Sequence, residues 1–213
     1  MPPVSPLLEY GLATLKMPSN ERNQERVHLL GVLMTDHMRA WPSKLTYSML
    51  CEACRALQYA SVPPRVRLTD ADETGQQHVF RVILTGAVLV QRRFGHKAWL
   101  PIGFLRPGDT LGLPAMLDST PDDIRYTTLS ETAEFAVLRR FEFERSLRVT
   151  YENAMQANIE VLRSHAAFAP LPTTTLKQLV SSSRLITLPP GELLTREGDA
   201  TDELLVLKSG VVR

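Results

Sequence analysis

The sequence predicts a mainly β fold with flanking helices, an α+β arrangement. Three observations predict it. Between residues 62 and 139, short apolar runs rich in Val, Ile, Leu and Thr alternate with clusters of Gly, Pro and Asp. On either side of that region, apolar residues recur at steps of three or four, the period of a helix. Residues 188–212, LPPGELLTREGDATDELLVLKSGVV, also repeat in tighter form residues 62–88, VPPRVRLTDADETGQQHVFRVILTGAV. Pro189-Pro190 answers Pro63-Pro64, Leu194-Thr195 answers Leu68-Thr69, and Ser209-Gly210 answers Thr85-Gly86. A repeat this widely spaced marks a duplicated domain rather than a solenoid, whose period is about 20–50 residues. It implies one complete module followed by the front part of a second.

Residues 1–20 are rich in Pro and Ser and read as an irregular arm. Asn20-Glu21 then resembles a helix start, a cap followed by an acid in the first turn. Val27, Leu30, Met34 and Met38 predict a helix over 21–38, so residues 1–43 form an N-terminal arm and helix. Trp41-Pro42-Ser43 interrupts the pattern. A second helix over 44–58 carries Leu50, Cys54 and Leu57 on one face. Val79–Leu84, Ala87–Phe94, Trp99–Leu105, Ile124–Glu131 and Glu134–Arg139 read as strands. Thr85-Gly86 and Arg106-Pro107-Gly108-Asp109 supply turns, with Pro fixing φ and Gly free to take positive φ. Many short strands in one stretch suggest a sandwich, jelly roll or barrel over residues 44–140. Phe143, Leu147, Tyr151, Met155, Ile159 and Leu162 then predict one long helix over 141–165, inside a connecting segment of 141–170. Thr173–Arg184 reads as a short helix, and Leu185 as the start of a second β-region within 171–213.

Composition narrows the function classes. The 213 residues carry 24 basic and 23 acidic side chains, a net charge of +1, which argues against a broad electrostatic footprint for nucleic acid or anionic lipid. The longest apolar stretches, such as Val82–Val90, fall well short of a membrane span. The start, MPPVSPLLEYG, lacks a basic flank and a long apolar run, so it does not read as a secretory signal. The expected location is cytoplasmic. Cys51 and Cys54 are the two cysteines. Zinc would need two more ligands at suitable spacing, so the pair reads as two small hydrophobes one helical turn apart, facing a core. His28, His37, His78, His96 and His165 are scattered and not at catalytic spacing with a Cys, Ser or acid pair. Gly108-Asp109-Thr110-Leu111-Gly112 is followed by no Gly-Lys-Ser/Thr and is not a nucleotide P-loop. Nothing suggests catalysis.

The pattern Pro190-Gly191-Glu192, Gly198-Asp199, Asp202 and Ser209-Gly210-Val211 closely resembles the cyclic nucleotide-binding domain family. That family includes protein kinase A regulatory subunits, bacterial catabolite activators, cyclic nucleotide-gated channels and exchange factors. Leu105-Arg106-Pro107-Gly108-Asp109-Thr110-Leu111-Gly112 and Glu134–Phe141 resemble the same family within the first module. The resemblance covers residues 40–213. It implies an eight-stranded β-roll (jelly roll) flanked by helices, tandem modules joined by a long helix, and a cyclic nucleotide, cAMP or cGMP, as the ligand class; no other cofactor is implied. The basic pairs Arg92-Arg93 and Arg139-Arg140 lack the spacing of a kinase pseudosubstrate, and no helix-turn-helix follows the β-roll.

In binding members the phosphate sits in a cassette reading roughly F-G-E-L-A-L, with an Arg ten or eleven residues after the Gly. Backbone N–H groups and the Arg fork hold the phosphate, and the Glu accepts from the ribose hydroxyl. Here the resemblance places the cassette on Gly112, Leu113, Pro114, Ala115, Asp122, Asp123, Arg125, Tyr126 and Thr127. Gly112 and Ala115 fit. Leu113 stands at the Glu position, and Asp122 or Asp123 at the Arg position. A unit charge pair at about 4 Å is worth about 4 kcal/mol at an effective dielectric near 20, so an acid there turns attraction for phosphate into repulsion. Arg125, two or three residues on, could replace the missing cation only by swinging into the pocket. The expectation is a non-catalytic regulatory protein carrying a cyclic nucleotide-binding domain, with a degenerate first cassette and a protein partner. The alternative is a structural scaffold that uses a non-binding cyclic nucleotide fold in a cytoskeletal or ciliary assembly. Neither involves nucleic acid or a membrane span.

Overall fold

The computed structural model describes residues 5–37, 45–68, 78–95, 98–117, 124–183, 186–196, 198 and 204–212. The chain forms two compact units, residues 1–152 and 153–213.

The first unit opens with α1 (Pro6–Lys16), where an irregular arm was expected. Pro6 stands at the start of this helix, where its missing N–H costs nothing and its fixed φ suits the first turn. Leu8, Leu12 and Leu15 follow at helical spacing and pack into the core. A single 3-10 turn at Ser19–Glu21 leads to α2 (Gln24–His37), and α3 (Tyr47–Ala56) begins on the Thr46 side chain, which accepts from the Met49 N–H at 3.3 Å.

Eight strands follow: β1 (Gln58–Val62), β2 (Arg67–Leu68), β3 (Val79–Thr85), β4 (Val88–Phe94), β5 (Ala98–Leu105), β6 (Thr110–Leu111), β7 (Ile124–Thr128) and β8 (Ala133–Arg139). A one-turn helix, α4 (Leu113–Met116), lies between β6 and β7. The strands form two antiparallel sheets, ordered β1-β8-β3-β6 and β2-β7-β4-β5. The five strands expected from sequence are all present. β1, β2 and β6 were not foreseen. Two of them are only two residues long, and β1 follows α3 with a single residue between.

Strand alternation separates two cores. Phe80, Val82 and Leu84 of β3 and Ala136 and Leu138 of β8 turn to the helices, where they meet Leu30, Met34, Cys54 and Phe143. Ile83 of β3 and Phe135 of β8 turn the other way and meet Leu68, Val88 and Leu111 inside the roll. The first sheet is therefore buried on both faces. Cys51 and Cys54 are both buried on α3, as their spacing implied.

The predicted long helix is interrupted. α5 (Arg140–Ser146) and α6 (Arg148–Arg163) meet at Leu147, whose φ of −120° departs from helical geometry. The Ser146 hydroxyl donates back to the Glu142 carbonyl at 2.6 Å, a local bond that competes with the helical ladder and bends it. Leu147 still donates to Phe143 and Tyr151 to Leu147, so the axis is offset rather than ended.

In the second unit, α6 runs on to Arg163, and α7 (Thr173–Ser182) follows. Ile159 and Leu176 are buried, and the Arg163 guanidinium donates to the Thr173 hydroxyl at 2.6 Å. Where a second β-region was expected, the described residues from 186 onward carry no strand. Leu204 and Val211 are 77% and 88% exposed there. Among the described residues, no helix is long and apolar enough to cross a membrane.

Candidate functional site

The predicted cassette begins where β6 ends. Leu111 pairs with Arg81 of β3, and the chain then turns at Gly112 with φ +81°. A Cβ at Gly112 would stand 2.1 Å from the Val79 carbonyl oxygen, so both the left-handed backbone and the close approach demand glycine. Pro114 fixes φ in the following turn of α4. Ala115 and Met116 are buried, 1% and 0% exposed. Leu113 is partly buried and packs against the helix-side core. The position that the resemblance gives to a ribose-binding carboxylate thus holds an aliphatic side chain engaged with other aliphatic side chains.

Asp122 and Asp123 lie outside the described residues. The chain is described again from Ile124, at the start of β7. Tyr126 packs against the roll core, facing Val90 across the sheet. Arg125 and Thr127 alternate with it and face away from the roll. The Arg125 Nε donates to Gln91 Oε1 at 3.1 Å, and its guanidinium lies over the Trp99 ring, 4.6 Å from the centroid. Gly112, Leu113, Pro114 and Ala115 are therefore held together in one turn, while Arg125 is held on the outer face of the second sheet.

The roll interior is largely apolar. Leu68, Ile83, Val88, Leu111, Ala133 and Phe135 line it, with Tyr126 and Val137 partly buried beside them. Arg81 was not singled out from sequence. It alternates with Phe80 and Val82, so it faces the roll, between Leu111 and Val137 in register, and it is itself engaged in an interaction. The signal for it was a lone Arg inside the buried run Val79–Leu84.

A separate groove of about 590 Å³ opens among the helices, lined by Tyr47, Cys51, Glu52, Arg55, Glu142 and Arg145 among others. Arg145 pairs with Glu52, and Arg55 donates to Gln24. Burial, and then the neighbouring Cys51, push the Cys54 thiol up to about 12 against a smaller opposing pull from Arg22, so it stays protonated at neutral pH. Among the described residues, no group of three or more His, Cys, Asp or Glu side chains could hold a metal ion.

Two four-stranded antiparallel sheets closed over a largely apolar interior, a glycine-led turn between β6 and β7, and helices covering one sheet decide the architecture. The fold is that of a cyclic nucleotide-binding domain. The regulatory domain of Toxoplasma gondii PKA, solved with cAMP, superposes with a TM-score of 0.55 at 15% identity, covering 75% of this chain and 59% of that one. The regulatory subunit of a cAMP-independent protein kinase A from Trypanosoma cruzi, bound to guanosine, gives a TM-score of 0.55 at 17% identity over 75% of this chain and 54% of that one. The sensor domain of the transcriptional regulator DNR from Pseudomonas aeruginosa gives 0.50 at 16% identity over 78% of this chain and 100% of that one. This chain therefore spans between half and two thirds of the length of the two kinase regulatory chains. No family model matches the sequence, and no curated protein matches it. The cyclic nucleotide-binding fold is thus present at low sequence identity.

Proposed function

We propose that this chain is a non-catalytic regulatory module, built on the cyclic nucleotide-binding fold, whose cassette does not grip a cyclic phosphate. The neighbours in fold are regulatory domains, which supports a regulatory rather than an enzymatic role. One observation carries the degeneracy: Leu113 packs into the helix-side core and Arg125 stands on the outer face against Trp99, so neither meets a ligand inside the roll. The acids at 122 and 123 add repulsion for an anion on the resemblance that names them. In this reading the fold acts through a protein partner in the cytoplasm.

Isothermal titration of the full chain with cAMP, cGMP and guanosine tests it. The expected result is no binding heat with either cyclic nucleotide at concentrations up to about 1 mM. Saturable cAMP or cGMP binding that Arg125→Ala abolishes would overturn the proposal. The second reading, a scaffold with no regulatory ligand at all, requires that guanosine also give no heat.

A further inference from the structure

The outer face of the second sheet has a chemistry unlike the rest of the chain. Its four strands, β2, β7, β4 and β5, carry four arginines and no acid, in a chain whose basic and acidic residues nearly balance. Register assigns three of these arginines to the outer face. Arg67 pairs with Thr127, and Arg125 with Gln91, both opposite to the inward pairs Leu68–Tyr126 and Val90–Tyr126. Arg93 pairs with Trp99, whose ring lies under Arg125. Arg67 and Arg93 are exposed and make no ion pair among the described residues. Phe104, paired with Leu89 on the same face, is 60% exposed.

We propose that this face is a docking surface for an acidic, apolar-bearing segment of a protein partner. Arginine and aromatic residues are the types enriched in protein interfaces, and a cluster of one sign steers an oppositely charged partner. Phe104 on the edge strand β5 offers an apolar anchor, with Arg93 on the neighbouring β4 and Arg67 on β2 across the sheet, neither in an ion pair among the described residues. Single-stranded nucleic acid is the less suitable occupant. It needs free aromatic faces for stacking, and the Trp99 ring already carries the Arg125 guanidinium. Edge pairing with β5 is also disfavoured, because Pro101 lacks a donor and a bulge interrupts the β4–β5 register at Val90 and Gln91. This inference is independent of whether the roll takes a ligand.

The test uses the full chain and a fluorescein-labelled peptide of repeated Glu-Glu-Leu-Phe units about twelve residues long, enough to span a strand the length of β5. Fluorescence anisotropy is read at low salt and at about 0.5 M salt, with oligothymidylate of similar length as a second probe. Expected is saturable peptide binding that weakens by about tenfold or more in the Arg67→Glu, Arg93→Glu double variant and in Phe104→Ser, and that salt suppresses. All three positions are exposed, and circular dichroism melts confirm that the variants fold. Absence of peptide binding, binding that survives the double reversal, or tighter binding of oligothymidylate would each overturn the proposal.

Discussion

The Arg22 guanidinium donates through Nη1 to the carbonyl of Leu57 at 2.6 Å, across 35 residues of chain. The same group also donates to the carbonyls of Thr14, Leu15 and Met17 at the end of α1, and to Cys54 at the end of α3. Helix C-termini leave carbonyls without intrahelical partners and carry partial negative charge. One buried cation satisfies two such ends at once and fixes the N-terminal helices to the layer that covers the roll. Burial draws its pKa below the ordinary arginine value, opposed in part by Cys54.

Replacing Arg22 by Ala should cost about 3 kcal/mol, because several buried carbonyls lose their donor together. Lys should rescue only part of this, since an ammonium cannot reproduce the planar fork. Urea denaturation of the full chain gives both values. A midpoint for Arg22→Ala equal to that of the parent would show that the clamp is decorative.

Gly112→Ala should be more damaging than its single methyl suggests. The backbone there has φ +81°, and the added Cβ would stand 2.1 Å from the Val79 carbonyl oxygen. Left-handed strain alone costs about 1–2 kcal/mol. Displacing β3 or the β6–α4 turn adds to that. A drop in melting temperature larger than that of Gly95→Ala, where the new methyl meets nothing within 4 Å at a similarly positive φ, checks the argument.

Glu134 should make stability depend on pH. Burial pushes its carboxyl up. The Tyr59 hydroxyl at 2.6 Å, the Thr85 hydroxyl at 2.9 Å and the Lys16 ammonium outweigh this and hold it below the usual carboxylate range. A depressed value in the folded state means stability that is fully present above the unfolded pKa, about 4.3, and lost as pH falls through the folded one. The difference in stability between the parent and Glu134→Gln should therefore narrow in acid. Denaturation curves collected from neutrality down to about pH 3 measure it, and a difference that stays constant throughout would contradict the assignment.

Tyr151→Phe should be neutral or stabilising by up to about 1 kcal/mol. The hydroxyl is buried without a hydrogen-bond partner among the described residues, and burial raises its pKa well above the usual tyrosine range. The ring is what matters. It stacks on Phe143 at 5.6 Å and meets Phe80 edge-on at 5.8 Å. Phe143→Ala should cost about 3–5 kcal/mol by the same reasoning that applies to any fully buried aromatic. Thermal melts of the two variants should move in opposite directions or differ by several degrees.

The β-roll was legible because its strands are short apolar runs set between strong turn residues. Thr85-Gly86 and Arg106–Asp109 punctuate the chain where the structure turns, with Gly86 and Gly108 at positive φ. The helix α1 was not legible because the Pro and Ser content of residues 1–20 was read as an irregular arm, although Pro at a first turn is a start signal when Leu8, Leu12 and Leu15 follow. The kink at Leu147 depends on a hydroxyl bonding to a carbonyl, which hydrophobic spacing does not reveal. For the cassette, the family resemblance pointed to Leu113 and the two acids, but the side of the sheet taken by Arg125 followed only from its register with Gln91. Among the described residues from 186 onward no strand is seen. Residues 188–212 copy the side-chain pattern of 62–88, but the first copy's strands are held by pairing with β6, β7 and β8. A side-chain pattern does not carry its backbone partners with it.

β3 has no solvent side. Its odd and even residues are divided between two interiors, with Ile83 in one and Val82 and Leu84 in the other. Sliding this strand by one position would exchange the contents of both compartments at once, moving Arg81 among the helices and Phe80 into the barrel. A single inserted or deleted residue between Val79 and Leu84 should therefore be fatal to the whole first unit, whereas the same lesion beside the exposed Gly95 should be absorbed. The strand works as a key cut on two edges, admitting one alignment only.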